Sequence, residues 1–263
     1  MYMEVGFDKT DYWMSQPADV SLEADRAYSR EAAVYEHLER TGNTGDYAAK
    51  YYGSWTLVHE FDREGRQVSR PVRLILLEDL NGRSLKELYE HPPTKPTTEA
   101  ERIAFEKETK DRLDLVALAA DGAVRLRHAG VRYSCFCAQH MILVERPGSA
   151  KPRIVHISFS RSYLFHHRRD VLWGRECKYS DDSTPPNPID VLWRCYNFLD
   201  GLIPENWNRN RRHMYREWLW ERFSGENALL YLALKRKGLY YTPSDDIGEP
   251  SVESSVESSD DES

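Results

Sequence analysis

The chain has 263 residues, of which 40% are hydrophobic, and its seven Trp and sixteen Tyr supply enough apolar surface for one large domain or two small ones. No apolar run approaches the roughly 20 residues needed to cross a bilayer, and the first residues, "MYMEVGFDKTDYW", lack the basic start and apolar stretch of a secretory signal. We therefore expect no membrane association and a location in the cytosol or the nucleus.

Acidic residues are concentrated at the C-terminus. Residues 244–263 carry eight acidic and no basic side chains, whereas the rest of the chain has 36 basic and 35 acidic residues. The tail has few large apolar side chains to bury, so we expect it to be disordered. Ser254, Ser258 and Ser259 each lie three residues before an acid, the environment that acidophilic kinases select, and we predict their phosphorylation. The balanced remainder predicts no nucleic-acid partner.

The first third of the chain predicts helix and strand in turn. Residues 2–5 have the character of a short strand, and residues 21–40 form a predicted helix. Its apolar side contains Tyr28, Ala32, Tyr35 and Leu38, and Glu31 lies on the same stripe. Residues 51–61 and 71–80 are predicted strands, and the polar "DREGRQVS" between them indicates an antiparallel hairpin.

Helices dominate the remainder. Ser84 and Glu87 have the spacing of a capping box, and a long helix is predicted over residues 98–127, with an apolar side formed by Ile103, Leu113, Val116, Ala120 and Ala123. "HMILV" and "RIVHI" predict a second hairpin. Asn187 and Pro188 predict the start of another helix, and further helices are expected over about 205–223 and 226–237. The pattern predicts an α+β fold with two unequal lobes and a hinge between Glu78 and Gly82.

Several segments share their order and residues with a known family. They are "YSREAAVYEHL", "YYGSWTL", "RLILLEDLNGRSL", "HAGVRYSCFCAQHMILV" and "RIVHISFSRS", followed by "YREWLWERF" and "YYTP". Together, over about residues 2–243, they resemble the protein-kinase-like superfamily, in particular its small fungal members. The resemblance implies a truncated N-terminal lobe and hinge over residues 1–82, a mainly helical C-terminal lobe over 83–243 and the acidic tail over 244–263.

The motif residues of that family are altered in this chain. The family's catalytic loop reads His-x-Asp with an Asn five residues after the Asp, and its metal-binding loop begins with an Asp before a Phe. The matching positions here are Tyr133, Cys135, His140 and Ser158. Mg²⁺ prefers hard oxygen ligands, so a neutral Ser and an imidazole are poor replacements for its two protein anchors.

The nucleotide-binding positions are altered as well. The strand that presents a phosphate-binding Lys in the family matches residues 2–5, where the Lys position is Glu4, and the preceding strands and Gly-rich loop have no counterpart in the sequence. The resemblance implies further nucleotide contacts at Glu31, Glu78 and Leu80. Because Glu4 repels phosphates, we expect neither ATP nor Mg²⁺ as a cofactor.

These losses predict a pseudokinase that acts as a binding or scaffold module for an unidentified protein partner. One alternative is a decayed or wrongly bounded gene product without a selected role. Another is an active phosphotransferase, using ATP and Mg²⁺, in which displaced acids such as Asp170, Asp181 or Asp182 have taken over the chemistry.

The cysteines allow two further interpretations. Cys135, Cys137 and His140, together with Cys177 or the pair His166 and His167, could ligate Zn²⁺, although the spacing lacks paired Cys-x-x-Cys motifs. A Cys–His nucleophile pair is the other possibility, but the sequence identifies no third residue to orient the His. Four cysteines in a chain of this size do not form a disulfide framework, so reduced thiols are expected.

Overall fold

The computed structural model describes residues 20–89, 96–145, 148, 152–165, 184–193, 195, 199, 201–204, 207 and 211–234. Several predictions lie outside these residues: the strand over residues 2–5, the acidic tail with Ser254, Ser258 and Ser259, and Glu4. The division of the chain at residues 82 and 243 also stays a prediction. In the described ranges, no helix combines the length and the apolar character that crossing a membrane requires.

Helices and small antiparallel sheets make up the described fold, which confirms the α+β class. The helices are α1 (Val20–Arg40), α2 (Leu85–Leu88), α3 (Glu99–His128), α4 (Pro188–Leu192) and α5 (Arg212–Phe223), with 3₁₀ turns at Ala138–His140 and Gly225–Leu230. The strands are β1 (Tyr51–Arg63), β2 (Arg66–Leu77), β3 (Gly82–Ser84), β4 (Val131–Arg132), β5 (Met141–Val144), β6 (Arg153–His156) and β7 (Tyr163–Leu164).

Strands β1 and β2 form a long two-stranded ribbon, as predicted, but its connection is shorter than expected. The strands extend to Arg63 and Arg66, and the turn between them consists of Glu64 and Gly65, both with positive φ. The inner face of the ribbon lies against α1, where Arg73 forms an ion pair with Asp25 at 3.1 Å. The outer face exposes large apolar side chains of Trp55, Leu57, Leu74 and Leu76.

Two further sheets flank the segment between β4 and β5 and the segment between β6 and β7. Strands β3, β5 and β6 form a three-stranded antiparallel sheet, and the β5–β6 hairpin confirms the second predicted hairpin. Strands β4 and β7 pair with each other, so the chain after β6 returns beside the chain that follows α3. This arrangement brings the segment between β4 and β5 next to the segment between β6 and β7.

Helix α3 is the axis of the larger apolar core. Its last four turns bury Val116, Ala120 and Ala123 against α2, α4 and α5, and Thr98 caps its first turn through a capping box with Glu101. The predicted apolar side was wrong at one position, because Ile103 is 59% exposed. The first turns of α3 extend past the elements that bury its C-terminal half.

The prediction of a final helix over 226–237 was wrong for residues 226–234, the part that the structure describes. Residues Gly225–Leu230 form a 3₁₀ turn that buries no side chain, and Leu229 is 85% exposed. The chain then leaves the helical path because Tyr231 donates a hydrogen bond to Asp121 on α3 at 2.9 Å, and Leu232 N–H donates to Pro185 O. Tertiary hydrogen bonds therefore overrode the local helical propensity.

Candidate functional site

The segment between β4 and β5 is a tight loop anchored by one aromatic ring. Cys137 N–H donates to Cys135 O at 2.8 Å, which closes a three-residue turn around Phe136. The Phe136 ring is buried in the larger core and stacks on His156. The two cysteines flank this anchor in the turn and remain half-buried.

Cys137 contacts His140 across the 3₁₀ turn that ends the loop. Its Sγ lies 3.1 Å from His140 Nδ1, and the Gln139 amide nitrogen lies 3.4 Å from His140 Nε2. Gln139 thus occupies the place of an orienting third residue, which the sequence alone did not reveal, although 3.4 Å is long for a hydrogen bond. Burial raises the pKa of the Cys137 thiol and lowers that of His140, so the resting pair is a neutral thiol beside a neutral imidazole.

Tyr133 joins this loop to the chain after β6. Its hydroxyl donates to Ile157 O at 3.1 Å, and Ile157 N–H donates to His140 O at 3.0 Å. Burial raises the pKa of Tyr133 well above its usual value, so the phenol stays protonated and available as a donor. The segment between β4 and β5 therefore meets the segment after β6, and we call this meeting point the loop mouth. It contains the predicted positions Tyr133, Cys135, His140 and Ser158.

Ser158 has a left-handed backbone, with φ of 65°. This conformation is uncommon for any residue other than Gly, Asn or Asp, and it turns the chain so that Phe159 enters the core beside α1. Phe159 is fully buried. The turn therefore places Ser158 beside the loop of Cys135. The Ser158 side chain is neutral, so it adds no charge there.

Four aromatic rings form a continuous column through the smaller core. Tyr133 and Phe159 have ring centroids 5.3 Å apart, Phe159 packs edge-on against Tyr35 at 5.0 Å, and Tyr35 stacks on Tyr51 at 5.9 Å. Such offset and edge-on arrangements are the favoured geometries of aromatic pairs. The column connects the loop of Cys135 to α1 and to the base of the ribbon.

Glu31 on α1 completes this connection. Its carboxylate accepts a hydrogen bond from Phe159 N–H at 3.2 Å, so its partner among the described residues is a backbone group. Burial raises the pKa of Glu31, and the bond from Phe159 opposes that shift.

At the predicted hinge, Glu78 is engaged by a cation. Its carboxylate pairs with Arg153 on β6, and the same guanidinium donates to Gly45 O. Leu80 packs against the smaller core. An open cavity of about 960 Å³ lies beside this pair, and its charged lining residues are Asp79, Arg83, Glu145 and Arg153. Because the two signs cancel and Arg153 is already bound, the cavity does not favour a phosphate.

The Zn²⁺ interpretation gains no support from the described residues. Among them, no group of three or more His, Cys, Asp or Glu side chains is placed to hold a metal ion. Cys177, His166, His167 and the acids Asp170, Asp181 and Asp182 lie outside the described ranges, so any role for them stays a prediction.

The sequence pattern indicated the polar positions of the site but not most of their partners. Tyr35 was identified only as part of an apolar stripe, and the contacts of Phe159, Gln139 and Arg153 were not predicted. Tyr35 follows Glu31 by four residues, so both side chains had to lie on one face of α1. That spacing was the available signal for the contact between this face and the segment after β6.

Neither a search of protein-family models nor a search of curated proteins returned a match for this chain.

Proposed function

We propose that the chain is a catalytically inactive member of the protein-kinase-like superfamily, a pseudokinase, which acts as a binding or scaffold module for a protein partner. In this proposal residues 1–82 form the N-terminal lobe with the hinge, and residues 83–243 form the helical C-terminal lobe. The cleft between the two lobes is formed by Glu31, by the hinge near Glu78 and by the loops of Cys135 and Ser158.

The arrangement of the loops supports the assignment to this superfamily. The loop of Cys135 precedes the β5–β6 hairpin, and Ser158 follows it, as the family's catalytic and metal-binding loops flank a hairpin. The aromatic column and the hydrogen bond from Phe159 to Glu31 join α1 to the second loop. A carboxylate of the small lobe therefore lies beside the residue that follows the metal-binding position.

One observation supports the proposal that the protein is inactive. Cys135, His140 and Ser158 lie around the loop mouth, and none of the three side chains is a carboxylate. Phosphoryl transfer depends on Mg²⁺ and on charge neutralisation at the phosphates, and loss of a general base alone typically costs roughly 10²- to 10⁴-fold in rate. The His140 imidazole is also engaged by Cys137. The mouth thus offers a thiol, an imidazole and a hydroxyl where the reaction needs anionic oxygens.

Nucleotide binding and phosphate transfer test the proposal directly. Thermal unfolding of the full chain is measured with ATP alone and with ATP plus Mg²⁺ or Mn²⁺, and phosphate transfer is followed with radiolabelled ATP. We expect no metal-dependent rise in the unfolding temperature and no transfer.

Two outcomes contradict the proposal. A metal-dependent stabilisation by ATP would show that the cleft still assembles a metal site. Robust transfer that the Asp170→Ala variant abolishes would favour the active phosphotransferase, with an acid outside the family pattern acting in place of Cys135.

A further inference from the structure

The two thiols of the central loop have a geometry that the proposed scaffold role does not require. The hydrogen bond from Cys137 N–H to Cys135 O at 2.8 Å closes a three-residue turn, and the Cys137 Sγ lies 3.5 Å from the same carbonyl oxygen. Phe136 fills the opposite side of the turn and is buried. A bond between the two sulfurs therefore requires side-chain rotation but no movement of this anchor.

One of the thiols also has a base in contact. His140 Nδ1 lies 3.1 Å from Cys137 Sγ, a distance suited to proton transfer from sulfur to nitrogen. Burial raises the pKa of the Cys137 thiol, and the backbone N–H groups of His140 and Gln139 and the Lys86 ammonium oppose that rise. Cys135 lies nearer to Arg161. The two sulfurs thus differ in surroundings, and Cys137 is the one with an imidazole in contact.

We propose that Cys137 and Cys135 form a thiol-oxidation site, in which a hydroperoxide oxidises Cys137 and Cys135 then closes a disulfide with it. This modification site goes beyond the proposed scaffold function, since it depends on neither nucleotide nor partner. Reversible formation of a disulfide between the two thiols would change the shape and polarity of the loop mouth.

The chemistry balances with the hydroperoxide as oxidant. The Cys137 sulfur attacks the terminal oxygen, the O–O bond breaks, and the thiol proton passes through His140 to the departing oxygen, which gives a sulfenic acid and water or an alcohol. The Cys135 sulfur then attacks the sulfenic sulfur, the S–O bond breaks, and the Cys135 thiol proton leaves with the hydroxyl group as water. Two equivalents of a small thiol return the pair to the reduced state.

Cys195 provides an internal reference. Burial raises the pKa of its thiol to about 11, and it packs against the larger core. A general sensitivity of buried thiols to peroxide would affect Cys195 and the loop cysteines alike, whereas a built site affects only the loop.

The test is peptide mass spectrometry of the full chain after treatment with hydrogen peroxide. A proteolytic peptide that contains both Cys135 and Cys137 is expected to lose two hydrogen atoms at least tenfold faster than Cys195 is oxidised, and a small thiol is expected to reverse the change. In the Cys135→Ser variant the sulfenic acid cannot be resolved within the loop, so dimedone should label Cys137.

His140→Gln should slow the oxidation of Cys137 at least tenfold, whereas His59→Gln, on the exposed ribbon, should leave the rate unchanged. If the His140 variant does not fold, the comparison with Cys195 in the unaltered chain still decides the question. Oxidation of the loop thiols no faster than Cys195, or conversion of Cys137 to a sulfinic acid without a disulfide, would overturn the proposal.

Discussion

Glu31 on α1 accepts a hydrogen bond from Phe159 N–H at 3.2 Å, although the two residues lie 128 positions apart in the chain. The bond connects the helix beside the ribbon to the left-handed turn at Ser158. Because the Phe159 ring also packs against Tyr35, one turn of α1 holds both the backbone and the side chain of this residue. The position of the segment after β6, which contains Ser158, thus depends on α1.

Substitution of Glu31 should separate its charge from its role as an acceptor. Glu31→Ala leaves Phe159 N–H without its acceptor, which typically costs about 1–3 kcal/mol of unfolding free energy. Glu31→Gln keeps an acceptor oxygen and removes the buried charge, so it should cost much less. Denaturant unfolding of both variants at pH 7 measures the difference, and equal losses would contradict the importance of the hydrogen bond.

The same carboxyl should contribute a pH dependence to stability. Its pKa is raised in the folded protein, mainly by burial, so the folded state binds the proton more tightly than the unfolded chain. The contribution is therefore most favourable below the unfolded pKa and declines as pH rises through the raised folded pKa. Glu31→Gln should remove this decline, and a pH series of unfolding midpoints that is identical in the two proteins would refute it.

Tyr35 allows a test of the aromatic column. Its side chain is fully buried, and within the described residues its hydroxyl has no hydrogen-bond partner. Removing such a hydroxyl relieves a desolvation cost, so Tyr35→Phe should be neutral or slightly stabilising. Tyr35→Ala should cost about 3–5 kcal/mol because it leaves a cavity between Tyr51 and Phe159. A large loss in the Phe variant would show that the hydroxyl has a partner.

His156 predicts a loss of stability in mild acid. It is fully buried between Tyr133 and Phe136, and burial lowers its pKa to about 4. Between pH 6.5 and 4 the unfolded chain gains a proton that the folded protein does not, so stability falls as pH falls, by roughly 3 kcal/mol at most.

His156→Gln keeps a donor for Ala119 O, which the ring contacts at 3.0 Å, but does not titrate. Its unfolding free energy should therefore change less between pH 7 and pH 5 than that of the unaltered protein. The change is measured by urea unfolding at both pH values, and parallel losses in the two proteins would assign the acid sensitivity to other groups.

The sequence predicted the structure correctly where interactions between neighbouring residues determine it. The capping box of Ser84 and Glu87 is present, with both hydrogen bonds at 3.2 Å, and Asn187 caps α4 as its spacing with Pro188 predicted. It failed where distant residues decide. The chain after Leu230 follows the bond between Tyr231 and Asp121, whose partners are 110 positions apart, and no local pattern encodes that contact.

The candidate site shows the same division. Cys135, His140 and Ser158 were identified by their place in a motif, and the structure brings them together. The proximity of His140 to Cys137 depends on the 3₁₀ turn at Ala138–His140, which the alternation of apolar and polar residues does not specify. The geometry of the dithiol therefore became visible only in the fold.

The outer face of the ribbon and the buried side of α1 should differ strongly in how much a mutation changes the unfolding free energy. Leu57 is 53% exposed on the outer face of the ribbon, so Leu57→Ser should change the unfolding free energy by less than about 1 kcal/mol. Leu38 on α1 is fully buried, and Leu38→Ala should cost about 2–5 kcal/mol. Urea unfolding of the two variants gives the comparison, and a comparable loss at Leu57 would show that the outer face is covered in solution.

Placing acids at the positions that match the motifs of the proposed superfamily should create metal-dependent nucleotide binding. The triple variant Cys135→Asp, His140→Asn and Ser158→Asp places two carboxylates and an amide around the mouth, and Asp tolerates the left-handed conformation at Ser158. With ATP and Mg²⁺ at tenfold excess over Kd, binding stabilises the folded state by about 1.4 kcal/mol, which raises the unfolding temperature by about 2–4 °C. Binding rather than turnover is the expected gain, because the proposed family alignment places Glu4 at the Lys position.

The matched control carries Asn at all three positions, Cys135→Asn, His140→Asn and Ser158→Asn, and so reproduces the size and polarity of the restored side chains without their charge. Metal-dependent stabilisation in the Asp variant and none in the Asn variant would assign the effect to carboxylate ligands in a kinase-like arrangement. If the Asp variant folds, as judged by its unfolding curve without ATP, and still shows no metal-dependent shift, the loops lack the kinase-like geometry. The assignment to the superfamily would then lose its main structural support.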